Sequence, residues 1–206
     1  MQGPAVIEHA QAGRSRRHFL LGGLLGGAAL AGTLRGIGGP AGAQRPSRAQ
    51  DERILNFALG LEYLQAAFYA EAESRGALTG ELAEFASVVG EQERAHVERL
   101  QELLGSAARP EPELSFGEVV ASEDAFLDAA VALEDTGVFA YIGQGANLTL
   151  RSVAAVAPLV SVEARHAAWI LDLAGRDPAP VAADPALGAA EARARLEQAG
   201  LTLPEG

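Results

Sequence analysis

Residues 93–96 read E-R-A-H and residues 163–166 read E-A-R-H, so a glutamate and a histidine stand three apart twice in one chain. On a helix, positions i and i+3 lie on nearly the same face, which points Glu93 with His96 and Glu163 with His166. Both pairs interrupt an apolar stripe, one between Val89 and Leu100 and the other between Val160 and Ile170. Glu62, beside Leu61 and Gln65, and Glu134, beside Leu133, take matching places on two further helical runs. Four carboxylates and two imidazoles therefore converge on one interior. Burying a carboxylate costs several kcal/mol even after relaxation, and like charges at one site raise one another's pKa. Two divalent cations remove the difficulty, because four carboxylate charges balance two metals and neutral imidazole nitrogens complete the coordination. Carboxylate and imidazole donors suit iron or manganese. The competing arrangement is a bundle with buried Glu–Arg pairs, for which Arg94 and Arg165 are the nearest candidates. Their places in the sequence turn both away from the inner stripe, which counts against it.

Four helical runs must position these residues. The first, 51–75, sets Ile54, Ala58, Leu61, Gln65 and Phe68 on one side and stops at Gly76. The second runs from 79–81 to Leu104, with Leu82, Phe85, Val89, His96, Leu100 and Leu103 inward. Ser122 caps a third, with Glu123 and Asp124 in its first turn and Phe126, Ala130, Leu133, Val138 and Tyr141 along it. The fourth covers 150–173, with Val153, Val156, Val160, Glu163 and Ile170 inward. Pro158 kinks it or marks a later start. The stretch L-E-Y-L-Q-A-A-F-Y at 61–69 is echoed by L-E-D-T-G-V-F-A-Y at 133–141, and an E-x-x-H pair follows each. Such repetition reads as a duplicated helical pair. Short breaks within each half and the long, Pro-containing 105–121 between them predict an all-α fold: a four-helix bundle of two hairpins joined by one crossover. Beyond 174 the chain becomes Pro- and Ala-rich, with a short helix near 188–199, and 175–206 reads as a docking tail without chemistry of its own.

Composition narrows the classes. Hydrophobic residues make up 49% of the chain but aromatics only 5%, so Ala and Leu supply the packing and helices are favoured over sheets. The net charge of -11, with every basic side chain an Arg, argues against a nucleic-acid surface. With no cysteine, disulfides, thiolate metal sites and thiol nucleophiles are excluded. The G-Q-G at 143–145 has no strand before it and reads as a helix end, not as a dinucleotide fingerprint. At the N-terminus, Arg14, Arg16 and Arg17 precede H-F-L, a Gly-diluted apolar run to Leu34, and A-G-A at 41–43. A basic start, an apolar middle and small residues before a cut describe an export signal over 1–43, cleaved after Ala43, with a linker at 44–50. The run R-S-R-R-H-F-L resembles the twin-arginine signal, which implies the twin-arginine machinery as a partner and a periplasmic or otherwise extracytoplasmic location. If the segment stays on, it would hold the protein at the membrane.

Over 51–174, and above all in I-L-N-F-A-L-G-L-E-Y-L-Q-A-A-F-Y and S-V-E-A-R-H-A-A-W, the chain resembles the ferritin-like superfamily, in particular its desiccation-related subgroup. The resemblance implies a four-helix bundle with a dinuclear centre of iron or manganese. By residue, it implies Glu62, Glu93, His96, Glu134, Glu163 and His166 as ligands, with Glu93 and Glu163 bridging. Tyr69 and Tyr141 follow Glu62 and Glu134 by about two turns. Their open roles are contact with the ligands from outside, a radical site, or packing at a helix end. Two functions fit such a centre. One is redox chemistry toward dioxygen or peroxide, with the reductant supplied by an external donor because the chain has no electron-transfer module of its own. The other is non-catalytic: metal binding or protection of the envelope under drying. A homodimer is compatible with either.

Overall fold

The computed structural model describes residues 46–203. Residues 1–43, read above as an export signal, and the expected cleavage point lie outside the described residues. Ser47 has extended backbone and accepts from Gln50 N at 3.3 Å, which starts α1 (Arg48–Arg75) three residues before the apolar period suggests. Residues 48–50 of the expected linker are therefore helical. Gly76, at φ 64°, ends α1 in the left-handed conformation that glycine adopts without a Cβ penalty. Then come α2 (Gly80–Leu104), α3 (Glu123–Gly145), α4 (Leu150–Leu173) and the short α5 (Ala189–Gln198). Ser122 caps α3 by accepting from Ala125 N, and Thr149 caps α4 by accepting from Ser152 N. Pro158 neither starts nor ends α4, which runs through it with the ring on the solvent side. Single 3₁₀ turns at Gly105–Ala107 and Gly117–Val120 bracket the long connection. Among the described residues there is no strand, and no helix is long and apolar enough to cross a membrane.

Helix α1 packs chiefly on α2, and α3 on α4, while α2 meets α4, α1 meets α3, and α5 lies on α3. The core forms two apolar clusters. One gathers Phe68, Phe85, Val89, Phe126, Leu133 and Ile170, and the other Leu55, Leu59, Leu100, Val156 and Leu159. On α2 and on α4 the chain passes from one cluster to the other through an E-x-x-H pair. Ile54, Leu82, Leu103, Val153 and Val160, expected inward, are half-buried, because the stripe is wider than the line of closest helix contact. The connection adds core that periodicity does not reveal: Phe116 and Val120 are buried against Phe68 and its neighbours.

Polar ties set the ends. Asp51, in the first turn of α1, accepts from Thr149 N at 2.9 Å, Thr149 Oγ1 at 2.6 Å and Ser152 Oγ at 2.7 Å. One carboxylate thus joins the starts of α1 and α4. Burial works against its charge, but the Thr149 and Ser152 hydrogen bonds outweigh that and hold its pKa below the ordinary value. A depressed carboxylate stabilises the fold above its unfolded pKa, and that contribution is lost as pH falls through the folded value. Asp51→Ala is therefore expected to cost about 1.5–3 kcal/mol at pH 7, the range for hydrogen bonds to a charged group. In urea melts the difference between variant and parent should shrink as pH drops below the ordinary carboxylate range. Asn56 holds the connection in a similar way, donating to Ala107 O and accepting from Arg109 N, each at 2.9 Å. The segment before α5 closes on α3, where Leu187 N donates to Phe139 O at 2.9 Å. It lies so near that a Cβ on Gly143 would sit 2.0 Å from Leu187 O.

Candidate metal centre

The six residues singled out by spacing meet in one place. Glu62 comes from α1, Glu93 and His96 from α2, Glu134 from α3, and Glu163 and His166 from α4. All four carboxylates are 0% exposed, and the imidazoles 7% and 3%. Two sets of donor atoms emerge, each lying within 4.8 Å of one another: Glu62, Glu93, His96 and Glu163 in one, and Glu93, Glu134, Glu163 and His166 in the other. Glu93 and Glu163 belong to both. His96 Nδ1 stands 2.9 Å from Glu163, 3.1 Å from Glu93 and 3.3 Å from Glu62. His166 Nδ1 stands 2.8 Å from Glu93 Oε1 and 3.6 Å from Glu134 Oε2. Arg94 and Arg165 are exposed, so no buried Glu–Arg pair accounts for the cluster.

Buried polar atoms in folded proteins are almost always hydrogen-bonded. Here Glu93 Oε1, Glu134 Oε2, Glu163 Oε1 and His166 Nδ1 are not. His166 Nδ1 and Glu93 Oε1 approach to 2.8 Å, yet their orientation does not complete a hydrogen bond. Buried donor atoms gathered within 4.8 Å of one another, several of them without hydrogen-bond partners, are what a cation requires of its ligands, and the oxygen–imidazole donor set suits iron or manganese. The residues fit the group that their types imply.

Electrostatics make the same point. Burial raises Glu62 to about 7, helped by the charge on Glu93 and opposed by the His96 contact. Glu163 rises to about 7 through burial and the charge on Glu62, and Glu93 rises through burial and the charge on Glu163. Burial opposes protonation of the imidazoles, but the surrounding carboxylates win, pushing His96 up to about 12 and His166 to about 10. A divalent cation among them would supply the counter-charge that these buried carboxylates call for.

Both tyrosines touch the ligands, and each reaches across to the other half of the chain. Tyr69 on α1 donates to Glu134 Oε1 on α3 at 2.5 Å, while Tyr141 on α3 donates to Glu62 Oε1 on α1. Burial and the adjacent carboxylate push each phenol well above its ordinary value, so both remain donors. Two amides complete the surroundings. Gln65 Nε2 reaches Glu163 Oε2 at 3.1 Å and Glu134 Oε1 at 3.4 Å, and Gln92 Oε1 meets His166 Nε2 at 2.8 Å. The sequence puts Gln65 on the inner stripe without assigning it a role, and the signal for one is a polar side chain one turn from Glu62 on a buried face. Gln92 is exposed at the helix surface, and nothing in its spacing marks it. Trp169 is half-buried and packs edge-on to Phe85, at 5.1 Å between ring centroids.

A search among curated proteins finds no match. A sequence model described as a ferritin-like domain matches residues 50–176, which span all four helices that carry the cluster. With more than half of its length so matched, the chain belongs to the ferritin-like domain family.

Proposed function

We propose that Glu62, Glu93, His96, Glu134, Glu163 and His166 hold two iron or manganese ions, with Glu93 and Glu163 shared between them. The observation that carries this reading is the group of four buried donor atoms without hydrogen-bond partners, lying within two overlapping four-residue sets. Two helical hairpins, α1–α2 and α3–α4, joined by the crossover at 105–121 and covered by a C-terminal docking tail, form the scaffold of the proposal. When bound, such a metal pair supplies two-electron redox chemistry toward dioxygen or peroxide. The chain's own contribution is to exclude water, fix the carboxylates, and keep Tyr69 and Tyr141 as proton donors against Glu134 and Glu62. Any reductant comes from an external donor. Export by the twin-arginine machinery to an extracytoplasmic compartment completes the reading, supported by Arg16, Arg17 and the apolar run after them. The desiccation-related subgroup and a homodimer belong to the same proposal.

A non-catalytic role in metal binding or envelope protection is the second reading. It is favoured by the closure of the site, whose carboxylates are 0% exposed. Elemental analysis of the exported protein should find close to two equivalents of iron or manganese, and metal-free protein should take up Mn²⁺ or, anaerobically, Fe²⁺. A fully folded protein that binds neither would end the metal reading. Turnover separates the two functions. Peroxide consumption by the manganese form, or oxygen consumption by the ferrous form, lost in His166→Ala, supports redox chemistry. Full occupancy with no turnover supports the non-catalytic role.

A further inference from the structure

The internal repeat pairs Glu62 with Glu134 and Tyr69 with Tyr141, and the tyrosines keep that symmetry by crossing to each other's glutamate. The same register pairs Gln65 with Gly137, and here the symmetry breaks. Gln65 donates to Glu134 and Glu163. A Cβ on Gly137 would lie 3.0 Å from Glu163 Oε2 and 3.4 Å from Gln65 Nε2, so the glycine leaves the space in which the amide works. Among the described residues no matching amide reaches Glu62. A second break lies on the helices of the E-x-x-H pairs. Gln92, one residue before Glu93, pairs with His166 Nε2, whereas the residue one before Glu163 is Val162. Among the described residues no side chain pairs with His96 Nε2.

Both breaks favour the same half of the centre. Glu134 is held by Tyr69 and Gln65, and His166 by Gln92, while among the described residues Glu62 has Tyr141 as its one outer partner and His96 has none. A third observation is independent of the repeat. The four unpartnered atoms come one each from Glu93, Glu134, Glu163 and His166, which is the whole of one donor set. In the other set, His96 Nδ1 hydrogen-bonds Glu62 and Glu93 and also stands 2.9 Å from Glu163 Oε1, so this imidazole must give up three close carboxylate contacts to a cation, where His166 Nδ1 gives up one, to Glu93 at 2.8 Å. Outer partners that fix a ligand's orientation change metal affinity by about 10–100-fold.

We propose that the two metal positions are inequivalent, with the Glu134–His166 position taking the first divalent cation and the Glu62–His96 position the second, more weakly. Gln65 and Gln92 are the positioning residues that create the difference. The inference rests on the two-cation reading above and adds an order of filling to it. Calorimetric titration of the metal-free full chain with Mn²⁺ tests it, with thermal melts confirming that each variant is folded. The expected result is one equivalent bound at least about tenfold more tightly than the next, as loss of outer partners implies. His96→Ala should keep the tight step and His166→Ala should lose it. Gln92→Leu, at an exposed position, should weaken the tight step by about 10–100-fold and leave the weak one in place, while Gln65→Met, which also releases the shared Glu163, should weaken both steps and the tight one more. Two indistinguishable steps in the parent would overturn the proposal, as would a tight step that survives His166→Ala but not His96→Ala. Glutamine variants that shift both steps alike, or neither, would overturn the role assigned to Gln65 and Gln92. A parent that binds no Mn²⁺ or Fe²⁺ removes the two-cation reading itself, a result distinct from all of these.

Discussion

Glu163→Gln is expected to abolish paired metal binding while leaving the metal-free protein as stable as the parent, or more so. Glu163 belongs to both donor sets, so its loss strikes both positions at once. The fall in affinity should exceed the roughly 10–100-fold that a lost outer partner costs. Stability moves the other way because the carboxyl is fully buried among Glu62, Glu93 and Glu134, and its ionisation is opposed by burial and then by their charge. A neutral amide of the same shape removes that repulsion and leaves His96 beside Glu62 and Glu93. If the carboxylates instead served the fold as partners in essential ion pairs, the variant would lose about 3–5 kcal/mol with or without metal. Thermal melts of both proteins, metal-free and Mn²⁺-loaded, decide the matter: the loaded parent should melt highest, and the variant should not respond to metal.

The largest purely structural loss is expected from Phe68→Ala. Its ring is 0% exposed, stacks on Phe126 at 5.2 Å, and meets Tyr69 and Phe116 edge-on. Removing it leaves a hole where α1, α3 and the connection meet, at a cost of about 3–5 kcal/mol. For a domain of this size each kcal/mol is worth about 2–4 °C, so the melting midpoint should drop by about 6–20 °C. The aromatic content is low, which makes this cluster a concentrated share of the core. Denaturant melts with an unchanged slope would identify the loss as packing. Metal uptake by the folded fraction should persist, since Phe68 contributes no ligand.

How much of this was legible beforehand depended on the kind of signal. Glu93, His96, Glu163 and His166 announce themselves because a charged pair with helical spacing inside an apolar stripe has few other uses. The structure brings both pairs together with Glu62 and Glu134, as their matching places in the repeat suggested. Helix limits at Gly76, Leu104, Ser122 and Leu173 were likewise set by local chemistry, namely caps and breakers. What escaped was tertiary. Phe116 lies in a segment with no period, and its burial follows only from where the connection crosses α1 and α3. Asp51 looked like an ordinary first-turn acid, and only the fold brings Thr149 to it. Gln92 pairs with a residue seventy-four positions away, a contact that no window on the sequence reveals.

The ligand sets interlock in a way that bears on how such a chain could arise. The first half, α1 and α2, provides Glu62, Glu93 and His96 to one position and lends Glu93 to the other. The second half returns the arrangement with Glu134, Glu163 and His166 and lends Glu163. Each half thus carries three of the four members of one donor set and lacks one carboxylate, which any second copy of itself would provide. An ancestor half as long, with a single E-x-x-H and a single preceding Glu, would have needed only to self-associate to enclose two ions in a symmetric pair. Fusion into one chain would free the two copies to diverge, and Gln65 facing Gly137 is a difference that a symmetric pair of identical chains could not encode.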